Sequence, residues 1–522
     1  MTAHIDTFAL DRLPEQATWP EFLFGDKVPA YPKYLNAAEE LLDNGYPNNS
    51  AIKMGKLVWT YDDLNHKSNQ TAAVLCEDYN IIPGNRVLLR GNNTPMLAVL
   101  WYAVLKAGGI AVTTMTMLRQ KELDAIIEVG QPDVIIIEDN LIIDLSETCK
   151  GKAAHVVSFS DIEQKMSERN GQFEAVKTKS DDLALLAFTS GTTGLPKATM
   201  HFHRDILAMA DSFAKYTLKP LPEDVFCGSP PLAFTFGLGG LLVFPARFGA
   251  SVVFFEGGGP KVILGIVEKY QVTTLFTAPT AYKVIIDHIS EHDISSLKTC
   301  ISAGENLPLS VSDDFYAVTG IRLVDGIGAT EMIHVFISAS GDDIRPGSTG
   351  KVVPGYQAEI WGDDDNPLPR GEAGRLVVKG PTGCRYLNGD RQEKYVTNGW
   401  NITGDIFKQD EDGYFWFVAR GDDIIISAGY NIASPEVEQA IMGHDAVLEC
   451  AVIGAPDAER GTIVKAFIVL NEGFVEGEDL IKDIQKFVKS NVAPYKYPRA
   501  VEFRDSLPKS ATGKLLRKDL KN

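Results

Sequence analysis

Residues 189–197 read TSGTTGLPK, directly after the apolar run LALLAF at 183–188. The run predicts a buried strand, and the glycines behind it predict a tight loop. Gly191 and Gly194 let the backbone turn so that several N–H groups converge, while Thr189, Ser190, Thr192 and Thr193 add hydroxyl donors and Lys197 a positive charge. Donors gathered in this way suit a phosphate chain. A Walker A loop has four residues between its glycines and ends Gly-Lys-Ser/Thr; here two residues separate the glycines and a proline precedes the lysine. A turn-rich surface loop would explain the glycines, but not four hydroxyls and a lysine after a strand.

Outward from this loop, β-branched runs alternate with helical patterns. RVLLRG (86–91) reads as a strand, TPMLAVLWYAVLKAGG (94–109) as a helix ending at glycine, IAVTT (110–114) as a strand, KELDAIIEVG (121–130) as a helix and DVIIIE (133–138) as a buried strand. ASVVFFE, VTTLFTA and KTCISAG repeat the theme, so a largely parallel sheet covered on both faces is expected. From about residue 355 the segments shorten and alternate, as in YQAEIW and GRLVVKG, which predicts an antiparallel subdomain. Charged helices and short strands follow VARGDDIII. His201 and His203 fall on a predicted helix behind the loop and are read as structural.

A length of 522 residues with 45% hydrophobic content predicts more than one domain. Fifty Lys and Arg against 69 Asp and Glu give a net charge of −19, which argues against a nucleic-acid surface and against docking on anionic lipid. The six cysteines form no CxxC and no Cys/His cluster, so neither a disulfide framework nor a zinc site is signalled and a reducing compartment fits. The N-terminus lacks an apolar signal core, and the expectation is a cytoplasmic protein with no membrane span. The sequence sets no oligomeric state and leaves a homodimer open.

Six motifs then occur in order: TSGTTGLPK (189–197), SAGENLP (302–308), GIGATE (326–331), TGD (403–405), RGDDIIISAGYNIASPEVE (420–438) and PKSATGK (508–514). In these the chain resembles the adenylate-forming superfamily of acyl-CoA synthetases, adenylation domains and luciferases, over nearly its whole length. The wording FTSGTTGLPKATMHFHRD, SPPLAFTFGLGG and DGIGATEMIHVFIS is most similar to the aryl-CoA ligase branch, particularly benzoate- and 2-aminobenzoate-CoA ligases. The resemblance implies an α/β multidomain fold. A large N-terminal domain (1–420) would hold two mixed or parallel sheets flanked by helices, with a small β subdomain at about 355–420. A hinge at 421–423 and a small mobile α+β domain (424–522) would complete it.

It also implies a reaction: a carboxylate attacks the α-phosphate of ATP, giving an acyl-adenylate and pyrophosphate, and a thiol, normally that of CoA, then attacks the activated carbonyl. Thr189, Ser190, Gly191, Thr192, Thr193, Gly194 and Lys197 would hold the β- and γ-phosphates. Thr330 would donate to the α-phosphate, Glu331 would hold Mg²⁺, and Lys514 would reach the α-phosphate and the attacking carboxylate in the transition state. Gly304, Glu305 and Asn306, with Asp325, Gly326, Ile327, Gly328 and Ala329, would form the adenine slot. Ile327 stands where many relatives have an aromatic ring, so adenine would pack on an aliphatic face. Asp405 would accept from the ribose hydroxyls, with Arg420 on the ribose and phosphate side. Phe234, Thr235, Phe236, Gly328, His334 and Val335 would line a small, flat acid pocket with one polar end. Ala428, Gly429 and Tyr430 would admit the pantetheine chain, and Asp422 would be the hinge residue. Alternatives are an acyl-CoA ligase for a small aliphatic acid and a stand-alone adenylation enzyme that loads a carrier protein; with eight residues after Lys514, a fused carrier domain is not expected.

Two outcomes separate the half-reactions. Lys514→Ala should nearly abolish adenylation, read as acid-dependent pyrophosphate release, while a supplied acyl-adenylate is still converted to thioester, because the resemblance implies that this lysine acts only where phosphoryl charge develops. Asp422→Pro fixes φ at the expected hinge, so adenylate should still form and thioester formation should fail in single-turnover assays.

Overall fold

A strand covered on both faces needs an apolar middle, and the central strands of this protein keep their polar residues at their ends. In the computed structural model, which describes residues 2–145, 151–189, 196–257, 259–389, 391–427, 430–457, 461–492, 496–510 and 515–520, the strands Arg86–Arg90 and Ile110–Thr114 are buried at every position. They lie in a six-stranded sheet ordered His155–Ser158, Val134–Ile137, Arg86–Arg90, Ile110–Thr114, Leu183–Thr189, Lys197–Phe202. All neighbours are parallel except the last pair, where Thr189 stands opposite Lys197. A nine-stranded sheet runs Lys351–Val352, Val335–Ser338, Leu323–Gly328, Thr299–Ala303, Thr274–Thr277, Val225–Gly228, Ser251–Val253, Ser50–Met54, Leu57–Thr60. It is parallel in the middle and antiparallel at both ends.

The fold is thus α/β, with two mixed, mainly parallel sheets flanked by helices in the large N-terminal part. Two compact units are distinguished: Met1–Leu307 with Val311–Ala358 and Val378–Ile402, and Pro308–Ser310 with Glu359–Val377 and Thr403–Asn522. The second contains the paired strands Val447–Asp457, Gly461–Leu470 and Ala500–Phe503 and the helices Ser434–Met442 and Glu478–Asn491. Its α+β core includes Ile432, Val437, Ile441, Val452, Ile468 and Val488.

Local signals set the element ends. The helix Pro95–Lys106 is apolar all round and all twelve residues are buried, as a helix enclosed by other layers must be. Thr94 caps it by accepting from the Leu97 N–H at 3.2 Å, proline occupies the first helical position, and Gly108 at φ +70° ends it. Its last residue, Lys106, is buried, and its ammonium donates to the side-chain oxygens of Asn65 and Asn69, each at 2.5 Å. Burial lowers its pKa to about 7, with Glu39 opposing.

The sequence expectation fails at the segment after the glycine-rich stretch. His201 lies in the strand Lys197–Phe202, and only from His203 does a helix begin, His203–Met209. The strand is buried from Ala198 to Phe202 because both faces are covered, so its side chains show no alternation that would separate strand from helix.

This strand is fastened to the segment 385–387 across the chain. Met200 N–H donates to Arg385 O at 2.8 Å and Leu387 N–H to Ala198 O at 3.0 Å. The Arg385 guanidinium is fully buried, packs 4.0 Å from the Phe202 ring centroid, donates to Met200 O and forms an ion pair with Asp205. Burial alone would raise the Asp205 pKa; Arg385 first, then His201 and Arg204, hold it down at about 2. Arg385→Met leaves a buried carboxylate without its partner and should cost about 3–5 kcal/mol. The double replacement Arg385→Met with Asp205→Leu should recover much of that loss, checked by the shift in urea midpoint of the three variants against wild type.

Candidate active site

Loops that follow the C-terminal ends of parallel strands gather at one edge of the sheet, and ligands in open α/β sheets bind there. The strands Thr299–Ala303 and Leu323–Gly328 are parallel neighbours with Ala303 beside Gly326. Gly304, Glu305 and Asn306 follow the first, with Gly304 at φ +91°, and Asp325, Gly326, Ile327 and Gly328 end the second. Burial raises the Asp325 pKa to about 7, against a backbone bond from Gly326. A Cβ at Gly326 would come within 2.9 Å of Val335 Cγ1 and one at Gly328 within 2.7 Å of the His334 carbonyl oxygen. Both glycines are therefore demanded by the antiparallel strand Val335–Ser338 lying against them.

Ala329 leads into the short 3₁₀ turn Thr330–Met332, which is held at three points. His201 Nε2 donates to Thr330 O at 2.9 Å, Thr382 Oγ1 donates to Met332 O at 2.8 Å, and the Tyr386 hydroxyl donates to Glu331 Oε1 at 2.5 Å. Ile333, next in line, has φ +64°, a conformation that costs a β-branched residue about 1–3 kcal/mol. A turn with this strain is over-determined by its surroundings. Lys197 stands nearby, with its ammonium 6.0 Å from the Tyr386 ring centroid. Its pKa is lowered by burial and then by Arg391, and raised by Glu331.

The structure thus brings Lys197, Thr330 and Glu331 together, and adds His201 and Tyr386. In the sequence the first of these reads as structural and the second carries no signal; only the tertiary fold places Tyr386 beside a residue 55 positions away. Thr189 ends its strand opposite Lys197. Ser190, Gly191, Thr192, Thr193, Gly194, Ala428, Gly429 and Lys514 lie outside the described residues. Tyr430 opens the strand Tyr430–Ala433, and Asp422 lies in the 3₁₀ turn Gly421–Asp423. In the second unit Asp405 and Arg420 stand opposite each other in the antiparallel pair Trp400–Gln409 and Phe415–Arg420, joined by an ion pair of 2.8 Å.

The expected acid-binding residues divide into an outer and an inner set. Phe234 and Phe236 are half-buried, flanking the buried Thr235 at the start of the helix Thr235–Leu238, and Gly328 is exposed. Val335 and His334 are buried. The His334 ring sits among Phe213, Phe236 and Phe244, with ring centroids 5.4, 5.7 and 4.7 Å away. A Cβ on Gly239 would fall 2.4 Å from its Cδ2, so glycine is required there. Burial lowers the His334 pKa to about 3, leaving the imidazole neutral at ordinary pH. Nε2 lies 3.4 Å from Phe236 O, which assigns the proton to Nε2 and makes Nδ1 the acceptor. Among the described residues that buried Nδ1 has no hydrogen-bond partner.

Among the described residues no group of three or more His, Cys, Asp and Glu side chains could hold a metal ion. One carboxylate, Glu331, beside a lysine suits magnesium, which is commonly bound through one or two carboxylates together with substrate phosphates. No helix among the described residues is long and apolar enough to cross a membrane.

The pattern of AMP-binding enzymes matches residues 41–386 and that of the AMP-binding enzyme C-terminal domain matches 436–514. The benzoate–CoA ligase of Thauera aromatica is 32% identical, over 94% of this chain and 96% of its own. The human mitochondrial acyl-coenzyme A synthetase ACSM3 is also 32% identical, over 94% and 90%. The crystal structure of the anthranilate CoA ligase AuaEII in complex with anthranoyl-AMP superposes with a TM-score of 0.89 at 32% identity, covering 94% of this chain and 97% of that one. With both its large and its C-terminal portions matched, the chain belongs to the AMP-binding enzyme family.

Proposed function

We propose that this protein is an AMP-forming acid–thiol ligase that activates benzoate or a 2-substituted benzoate with ATP and passes the acyl group to CoA, releasing AMP and pyrophosphate. Lys197 and the loop before it would hold the β- and γ-phosphates, and Thr330 would donate to the α-phosphate. Glu331 is the residue suited to hold Mg²⁺, which when bound would supply positive charge against the departing pyrophosphate. Fixing these groups beforehand is how a site stabilises charge that develops only in the transition state.

The observation that carries the aromatic reading is the neutral His334 held among phenylalanines, with Nδ1 unpartnered among the described residues. Apolar walls suit a ring, and a buried acceptor suits a substrate that brings an N–H or O–H donor. The benzoate and anthranilate ligases among the relatives support it. A second reading, an acyl-CoA ligase for a small aliphatic acid, is kept because the chain is equally identical to a relative named only as an acyl-coenzyme A synthetase, ACSM3.

The test is kcat/KM for CoA-dependent AMP formation with 2-aminobenzoate, benzoate, hexanoate and acetate. An aromatic acid should lead; preference for hexanoate or acetate over every aromatic acid would sink the aryl reading and leave the CoA-ligase class. His334→Ala should reduce the advantage of 2-aminobenzoate over benzoate by roughly tenfold, the worth of one hydrogen bond, while lowering benzoate activity less. Because His334 takes up a proton only near pH 3, the 2-aminobenzoate to benzoate ratio should stay flat from about pH 6 to 8; a ratio that falls on acidification through 6.5 would mean an imidazole of ordinary basicity.

A further inference from the structure

Tyr386 touches both sides of the phosphate end of the site and belongs to none of the six sequence motifs. Its hydroxyl donates to Glu331 Oε1 at 2.5 Å, and its ring centroid lies 6.0 Å from the Lys197 ammonium. The side chain is 5% exposed and packs edge-on against Tyr395 with ring centroids 5.8 Å apart.

The backbone that carries it has little freedom. Arg385 and Leu387, on either side, are hydrogen-bonded to the strand Lys197–Phe202. The Tyr386 N–H donates to Gln392 Oε1 at 3.0 Å, and Gln392 Nε2 donates to Cys384 O at 3.0 Å, so one buried glutamine ties the segment down at two points. A phenol on so fixed a backbone can select one rotamer of the glutamate it meets. It does so with a single neutral donor, leaving the charge of the carboxylate uncancelled. A lysine in the same place would compete with a metal ion; a tyrosine does not.

We propose that Tyr386 is the positioning residue for Glu331, holding its carboxylate where a divalent cation arriving with ATP is bound. The proposal rests on the ligase reading above and on Glu331 as the cation ligand. Residues that orient a metal ligand in this way are worth about 10–100-fold in metal affinity when removed.

Tyr386→Phe keeps the ring and deletes only the donor. Titrated with Mn²⁺ in the presence of the non-reacting analogue α,β-methylene-ATP and followed by electron paramagnetic resonance, it should bind the ion about tenfold more weakly than wild type. In turnover it should need correspondingly more Mg²⁺ for half-maximal pyrophosphate release, with the KM for the acid unchanged. A role in packing alone would instead lower the thermal midpoint and leave Mn²⁺ binding as in wild type, which would overturn the proposal. A double-mutant cycle with Glu331→Gln guards against a general loosening of the fold. Once Glu331 is neutral, Tyr386→Phe should add little to the loss in Mn²⁺ binding, and fully additive effects would count against the proposal. Wild-type protein that released no pyrophosphate with any acid would overturn the ligase reading and this proposal together, whereas active wild type with unaltered Mn²⁺ binding in Tyr386→Phe overturns the proposal alone.

Discussion

A guanidinium buried away from water has to be met inside the protein, and the way Arg385 is met organises the strand Lys197–Phe202 and the segment bonded to it. Its partners are the Asp205 carboxylate, the Met200 carbonyl and the face of Phe202, all on the strand that follows the glycine-rich loop or the helix after it. Because Arg385 and Lys197 belong to segments bonded side by side, fixing one sets the other. The neighbours of Arg385 in sequence, Cys384 and Tyr386, inherit that placement. A buried ion pair is weak evidence for stability, since an apolar replacement of both partners is often as good. Its value here is register: it leaves one way for segment 385–387 to lie on the strand.

From that register follows a division of electrostatic labour. Around Glu331 the groups are charged or strongly polar, with Lys197 and the Tyr386 hydroxyl near it. Three residues further along the chain, His334 is surrounded by aromatic rings and burial keeps it uncharged. The short turn and the strained Ile333 between them reverse the chain within this distance, so that one stretch serves two environments. A charged cluster and an aromatic one need opposite surroundings, and the turn keeps them apart.

Much of this was legible in the sequence because it is local. Strands such as Ile110–Thr114 and Val134–Ile137 coincide with their β-branched runs, and the helix Pro95–Lys106 begins at its threonine cap and stops short of its glycine pair. Gly326, Gly328, Thr330 and Glu331 form one continuous motif, and a continuous motif carries its own geometry. What could not be read depends on partners far apart in the chain. Asp205 and Arg385 are 180 positions apart and Glu331 and Tyr386 55, and neither pairing leaves a mark in its own neighbourhood. The sequence does not mark His201 as a strand residue because a strand buried on both faces shows no period, and its reach to the Thr330 carbonyl depends on the strand conformation.

Lys106 gives the N-terminal unit a relation to acidity that has nothing to do with catalysis. In the unfolded chain a lysine keeps its proton until about pH 10.5, whereas at the buried end of Pro95–Lys106 the proton is released near pH 7. Between those values the unfolded state holds the extra proton, so by linkage this group makes folding more favourable as the solution becomes alkaline. Below pH 7 both states carry the charge, and the penalty of burying an ammonium among asparagine oxygens is borne in full. The enclosed helix packed against the strands Arg86–Arg90 and Ile110–Thr114 is therefore best tolerated in mildly basic surroundings, a preference set by one side chain far along the sequence from every motif of the site.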